Sequence, residues 1–184
     1  MQKLAAALVG GACPGLATLI LEGNRIGAEG ARELSAALAG GACPSLTMLN
    51  LNDNNIGSAG ALALAAALAA CPSLKLLGLG TNSIEDQGAA ALAASLADGA
   101  CSDLTSLNLC YNNIGDRGVG DLAAAFLTGV CGSLTMLNLS FNRVIRPGYA
   151  PRPGYAPRMI ASISAAAQQE VDAAVVAGRA RLAM

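Results

Sequence analysis

Large apolar residues along the first 140 positions recur in two alternating rhythms. Short segments carry leucine at every second position: Leu19 and Leu21, Leu49 and Leu51, Leu77 and Leu79, Leu107 and Leu109, Leu137 and Leu139. That is the period of a short strand with one buried face. Longer segments between them carry apolar residues four apart: Leu34/Leu38, Leu64/Leu68, Leu92/Leu96 and Leu122/Phe126. That is the period of a helix with one buried stripe. Each strand closes on an asparagine (Asn24, Asn54, Asn82, Asn112, Asn142), whose short amide can satisfy backbone groups where the chain leaves the sheet. Glycine pairs follow, as in Gly27/Gly30, Gly57/Gly60 and Gly115/Gly118, and suit a turn before a helix.

The rhythm has a constant period. Cys13, Cys43, Cys71, Cys101 and Cys131 lie 30, 28, 30 and 30 residues apart, and the asparagines keep the same spacing. The pattern L-x-x-L-x-L-x-x-N-x-I runs from Leu16 to Ile26 and returns from Leu46, Leu74 and Leu104; the fifth copy, from Leu134, ends on Val144. One strand and one helix cannot hide their own apolar sides, so such units must stack and bury a continuous core between neighbours. Parallel strands sit about 4.8 Å apart, while helices about 10 Å across spread wider behind them. The expected architecture is therefore an α/β solenoid, a curved right-handed coil with parallel strands on the concave face and helices on the convex face.

These residues resemble the leucine-rich repeat family, and specifically its ribonuclease-inhibitor-like class. Cys43-Pro44-Ser45-Leu46 through Leu68 follows the C-P-S-L-x-x-L-x-L-x-x-N-x-I-G-x-x-G-A-x-x-L-A-x-A-L form of that class. The resemblance covers residues 4 to about 144. It departs at Glu85 and Ile145, where the class carries glycine, and at two extra residues before the Cys in most units (Gly40-Gly41, Asp98-Gly99). Relatives include ribonuclease inhibitor, NOD-like immune receptors and the activator of the Ran GTPase, so the resemblance implies recognition of another macromolecule, often a protein.

The opening MQKLAAALVGGACPG has the outline of a secretory or lipoprotein leader. Shifted by 30 residues, however, it overlays the segment around Leu34–Leu46 at Leu4, Leu8, Cys13, Pro14 and Leu16. It reads as the helix and return turn of a unit whose strand is missing. The expectations are a cytoplasmic, reduced protein and an uncapped N-terminal edge that meets either another copy or a missing upstream segment. The domain reading is a repeat array over 1–145, a Pro/Arg/Tyr-rich duplicated linker over 146–158 and a C-terminal amphipathic helix or tail over 159–184.

Composition narrows the chemistry. Histidine is absent, which removes Ser-His and Cys-His nucleophiles, His metal sites and His proton transfer. With no phosphate loop or metal spacing either, the reading is non-enzymatic and without cofactor or metal. Residues 1–142 hold five Lys/Arg against ten Asp/Glu, while 143–184 hold six Arg against two acids. The block RPGYAPRPGYAPR (146–158) has Arg and Tyr but no acid; a spacer is favoured over a nucleic-acid contact, and it lacks P-x-x-P spacing. Residues 54–74 carry no charge, yet they keep the repeat register and are not a membrane span. The periodic cysteines are expected to be buried packing residues.

With the leucine ladder committed to the core, function falls on the strand positions between the leucines. They are nearly uncharged, amide-rich and apolar at both ends. The candidate partner-binding residues are Met48, Asn50, Asn52, Asp53, Asn108, Cys110, Tyr111, Met136, Asn138, Ser140 and Phe141. Tyr111 and Phe141, one unit apart, are the expected anchors, since interface hot spots favour aromatics. The function expected is a protein–protein interaction module working through the concave face. The alternatives are a GTPase-activating regulator resembling the Ran activator, with Arg25 and Arg117 as test positions, or a fragment of a larger NOD-like receptor.

Overall fold

The structure, a computed structural model, describes residues 1–10, 13–127 and 132–143. Five strands of three residues form one parallel sheet in chain order: β1 (Thr18–Ile20), β2 (Met48–Asn50), β3 (Leu76–Gly78), β4 (Ser106–Asn108) and β5 (Met136–Asn138). Each strand pairs with the equivalent residues of the next unit, so Leu19 faces Leu49, then Leu77, Leu107 and Leu137. The helices α1 (Gln2–Val9), α2 (Gly27–Ala39), α3 (Gly57–Ala67), α4 (Glu85–Ala97) and α5 (Asp116–Leu127) form the second layer. The expected α/β solenoid is the observed one. Cys131, Val144, Ile145, the 146–158 block and the 159–184 segment lie outside the described residues.

The core is the leucine ladder together with the helix stripes. Leu46, Leu49 and Leu51 are buried, as are Leu74, Leu77 and Leu79 and then Leu104, Leu107 and Leu109. Leu34, Leu64, Leu92 and Leu122 meet them from the helices. The third unit lacks the two extra residues before its cysteine, and there a single 3-10 turn, Leu68–Ala70, leads directly to Cys71. Cys43, Cys71 and Cys101 are buried in one column, and burial pushes the Cys43 and Cys71 thiols up, with the neighbouring thiol in the column adding to it. Cys13 departs from the expectation: it is exposed, because no described unit precedes it to cover that slot.

The asparagines connect the units. Asn82, fully buried, accepts the N–H of Asn54 and Ile56 on Oδ1 at 3.0 and 3.3 Å and donates from Nδ2 to the carbonyls of Leu51, Leu79 and Gly80. Asn54, Asn112 and Asn142 make the same reach to the preceding unit. Each strand end is thus stitched to its neighbour by one amide, which satisfies buried backbone donors that no helix or sheet bond could reach.

The glycine pair does two jobs rather than one. Gly27 and Gly57 sit at φ +67° and +66°, and their N–H groups donate to the carbonyls of Asn54 and Asn82. Glu85 holds that left-handed slot in the third unit at φ +59°. Gly115 departs: its backbone is not left-handed, and its N–H donates instead to Asp86 Oδ1 at 2.6 Å. The second glycine belongs to helix packing. A Cβ on Gly60 would lie 2.5 Å from Ile56 Cγ2 and 3.0 Å from Ala31 Cβ, so glycine is what lets α3 close on α2.

β1 is an open edge. Leu16, Leu19 and Leu21 are only half-buried, and Asn24 Oδ1 has no partner among the described residues. A cavity of about 610 Å³ opens there between Met1–Lys3 and the turn at Asn24–Ile26. α1 covers the helix layer of the first unit but not its strand.

Candidate functional site

The face of the sheet away from the helices consists of the positions that alternate with the buried leucines. Because helices are wider than strand spacing, this is the concave face. Strand positions put Met48, Asn50, Asn108, Met136 and Asn138 on it, and the residues immediately after each strand add Asn52, Cys110 and Ser140. Asp53, Tyr111 and Phe141 lie one step further on. They occupy the turn at the rim, not the strand surface that the alternation suggested.

That rim position has a fixed backbone. Gly23, Asp53, Thr81, Tyr111 and Phe141 all have φ between +53° and +71°. Glycine takes this left-handed conformation freely, whereas a residue with a Cβ is held there at a cost of about 1–2 kcal/mol. In the fourth and fifth units the position nevertheless carries the two aromatic side chains. Their rings stack with centroids 4.3 Å apart and planes 9° from parallel, and they remain 43% and 50% exposed. Asp53 and Thr81 hold the same conformation, so the left-handed turn belongs to the repeat; what the fourth and fifth units add is the stacked pair.

The predicted residues separate into two sets. Asn108 and Asn138 are paired directly across β4 and β5, with Cys110, Ser140, Tyr111 and Phe141 on the same two units and Met136, 61% exposed, beside them. Met48, Asn50, Asn52 and Asp53 lie two strands away from β4, across Gly78 and Gly80 of the third unit. Those glycines make no gap. A Cβ on Gly80 would meet Cys110 Sγ at 2.9 Å, Asn108 Nδ2 at 3.1 Å and Asn52 Oδ1 at 3.2 Å, so neighbouring side chains lean over the third unit. Glycines at 78 and 80 were the signal in the sequence that this would happen.

Hydrogen bonding within the face fixes how its amides point. Asn108 Oδ1 accepts the N–H of Cys110 at 3.1 Å, and Asn138 Oδ1 accepts that of Ser140 at 3.1 Å. Asn50 Oδ1 accepts from Asn52 N–H, and Asn52 Oδ1 from Gly80 N–H at 2.7 Å. A backbone N–H can face only an oxygen, so each amide's orientation follows from its bond. Asn50 Nδ2 donates to Glu22 Oε2 at 2.9 Å, a contact the sequence did not reveal. The Nδ2 groups of Asn52, Asn108 and Asn138 have no partner among the described residues. The carbonyls of Asn108, Cys110, Asn138 and Ser140 already accept N–H groups of the preceding unit.

Among the described residues no cluster of His, Cys, Asp or Glu could hold a metal, and no helix is long and apolar enough to cross a membrane. A leucine-rich repeat family model matches residues 12–35, 42–65, 70–93 and 100–123, more than half of the chain. No curated protein sequence matches it. Among solved structures, that of leiomodin-1 actin-binding site 2 is similar with a TM-score of 0.71 at 16% identity, covering 98% of this chain and 90% of the other. The tropomodulin C-terminal domain of Caenorhabditis elegans is similar with a TM-score of 0.65 at 15% identity, covering 98% and 94%. At such identities the likeness concerns the fold.

Proposed function

Since the chain belongs to the leucine-rich repeat family, we propose that it is a non-enzymatic module that binds a protein partner on its concave face, over the fourth and fifth units. The observation that carries this is the Tyr111–Phe141 stack: two large rings, half-exposed, at the rim position where the first three units carry Gly23, Asp53 and Thr81. A solenoid needs nothing large there for its own folding, and exposed aromatics at the rim of a nearly uncharged concavity are what interface anchors look like. The leiomodin-1 structure is itself named for an actin-binding site, which supports the use of this fold for holding a macromolecule without identifying this chain's partner. We place the protein in the cytoplasm, a setting supported by the buried, free thiols of Cys43 and Cys71.

The test is affinity capture with three forms of the chain: wild type, Tyr111→Ala/Phe141→Ala, and Leu62→Ala. Leu62, on α3, is 41% exposed on the helix layer and serves as the control. The expected result is a set of captured proteins lost with the double variant and kept with Leu62→Ala. Retention by the double variant would remove the concave-face reading.

A further inference from the structure

The fourth and fifth units carry hydrogen-bond donors toward the concavity with few acceptors to match them. Asn108 and Asn138 tie down their Oδ1 atoms on Cys110 and Ser140 N–H, which leaves two Nδ2 groups on adjacent strands without a partner among the described residues, that of Asn108 leaning over Gly80. Ser140 and, at the rim, Tyr111 add hydroxyls that donate or accept, so the excess of donors comes from the two amides. The local carbonyls are occupied by the N–H groups of Leu79, Thr81, Leu109 and Tyr111. Beside the donors stand the stacked rings of Tyr111 and Phe141. None of these residues is charged.

Resting on the concave-face reading above, we propose that this patch receives a proline-rich segment of the partner protein, in the extended polyproline II conformation. The reason is complementarity. An ordinary extended segment brings one N–H for every carbonyl, and each N–H buried against a surface short of free acceptors costs about 1–3 kcal/mol. A proline run brings carbonyls and no N–H, its backbone is already extended, and its rings pack on aromatic faces. Little ordering entropy is then lost on docking. An acidic segment fits less well, because residues 1–142 carry a net charge of −5, five basic against ten acidic residues. The same field opposes a single-stranded nucleic acid, although its bases could stack on the plate.

The experiment is fluorescence anisotropy of labelled decaproline titrated with the full 184-residue chain. A second peptide, with every other proline replaced by alanine, restores five N–H groups to the same length. Decaproline should bind, and the alanine-containing peptide should bind at least about fivefold more weakly. Tyr111→Ala/Phe141→Ala should weaken decaproline binding by about tenfold or more. Asn138→Asp should weaken it as well, because the aspartate keeps the oxygen that receives the Ser140 N–H but presents a second oxygen in place of the donor, and a single carboxylate avoids two like charges facing each other across β4 and β5. Since that bond survives, the thermal midpoint should stay near wild type, which separates lost binding from lost folding. Equal binding of the two peptides, or no change in the aspartate variant, overturns the proposal. So does tighter binding of a labelled oligo(dT) than of decaproline. Binding that appears only after Pro147, Pro151, Pro153 and Pro157 are changed to alanine also overturns it, and assigns the patch to the chain's own block. If decaproline fails while protein capture still depends on Tyr111 and Phe141, the concave-face reading stands and only the proline reading falls.

Discussion

Replacing Asn82 by alanine tests the claim that one amide per unit connects the array. The loss can be worked out bond by bond. Of the three carbonyls Asn82 serves, each keeps another donor: Leu51 O from Asn54 Nδ2, Leu79 O from Asn112 Nδ2, and Gly80 O from Asp53 N–H. The two backbone N–H groups it receives, those of Asn54 and Ile56, lose their acceptor in a fully buried place. At about 1–3 kcal/mol for each of the two orphaned donors, the change should destabilise the fold by about 2–6 kcal/mol. Asn24→Ala is the internal control. Asn24 is exposed, its Oδ1 receives nothing among the described residues, and Leu21 O keeps Asn54 Nδ2, so its loss should stay below about 1 kcal/mol. Urea unfolding followed by far-UV circular dichroism measures both variants. With a urea slope of about 2 kcal/mol per M, Asn82→Ala should lower the midpoint by roughly 1–3 M. If the two variants fall within 1 kcal/mol of each other, the asparagine bonds do not hold the units together, and the leucine ladder does so alone.

Two further outcomes follow from the packing. Gly88→Ala should be destabilising by about 1–3 kcal/mol in the same unfolding assay, although alanine is the better helix former, because its Cβ would lie 2.5 Å from Ile84 Cγ2 and 2.9 Å from Ala61 Cβ; a stabilised variant would show that the helices need not approach so closely. Alkylation at neutral pH followed by peptide mapping should modify Cys13 well before Cys43 and Cys71, whose thiols burial pushes up. The sign for stability follows from the same shift. Thiols raised in the folded state support the fold fully below their ordinary value of about 8.5, and that support is lost as pH rises through the higher folded value, so unfolding should become easier in alkali. Cys43→Ala/Cys71→Ala should flatten that alkaline limb, and an unchanged limb would assign it to other groups.

How much of this was legible in the sequence depended on what kind of constraint each residue obeys. The leucines, asparagines and period were readable because a stacked unit has one buried slot per position and repeats it. The strand register follows from that period, since Leu19, Leu49, Leu77, Leu107 and Leu137 can align in only one way. The second glycine of each pair looks like part of the turn because sequence shows flexibility but not proximity; its constraint, at Gly60 and Gly118, is the Ile Cγ2 four residues back together with the alanine Cβ of the preceding helix. Cys13 was read as buried because the period assigns it the slot of Cys43, yet a slot is buried only when a neighbour covers it. Both errors are of one kind: periodicity gives a residue's place in its own unit, while burial and close approach belong to pairs of units.

The site was less legible for a related reason. Alternation with the leucines puts Met48, Asn50, Asn108, Met136 and Asn138 on the face away from the helices, but outward does not mean available. Asn50, Asn52, Asn108 and Asn138 all occupy the concave face, yet each uses its acceptor on a backbone N–H two residues on or one unit away. An amide row that looks able both to donate and to accept becomes, once folded, a row whose free atoms are donors. The aromatic pair shows the opposite case. Its position in the unit is one where Gly23 fits without strain and the core gains nothing from size, so the folding rules that explain most of this chain leave Tyr111 and Phe141 unexplained. That pair is why the proposed binding surface is centred on the fourth and fifth units, and the capture experiment with Tyr111→Ala/Phe141→Ala is its test.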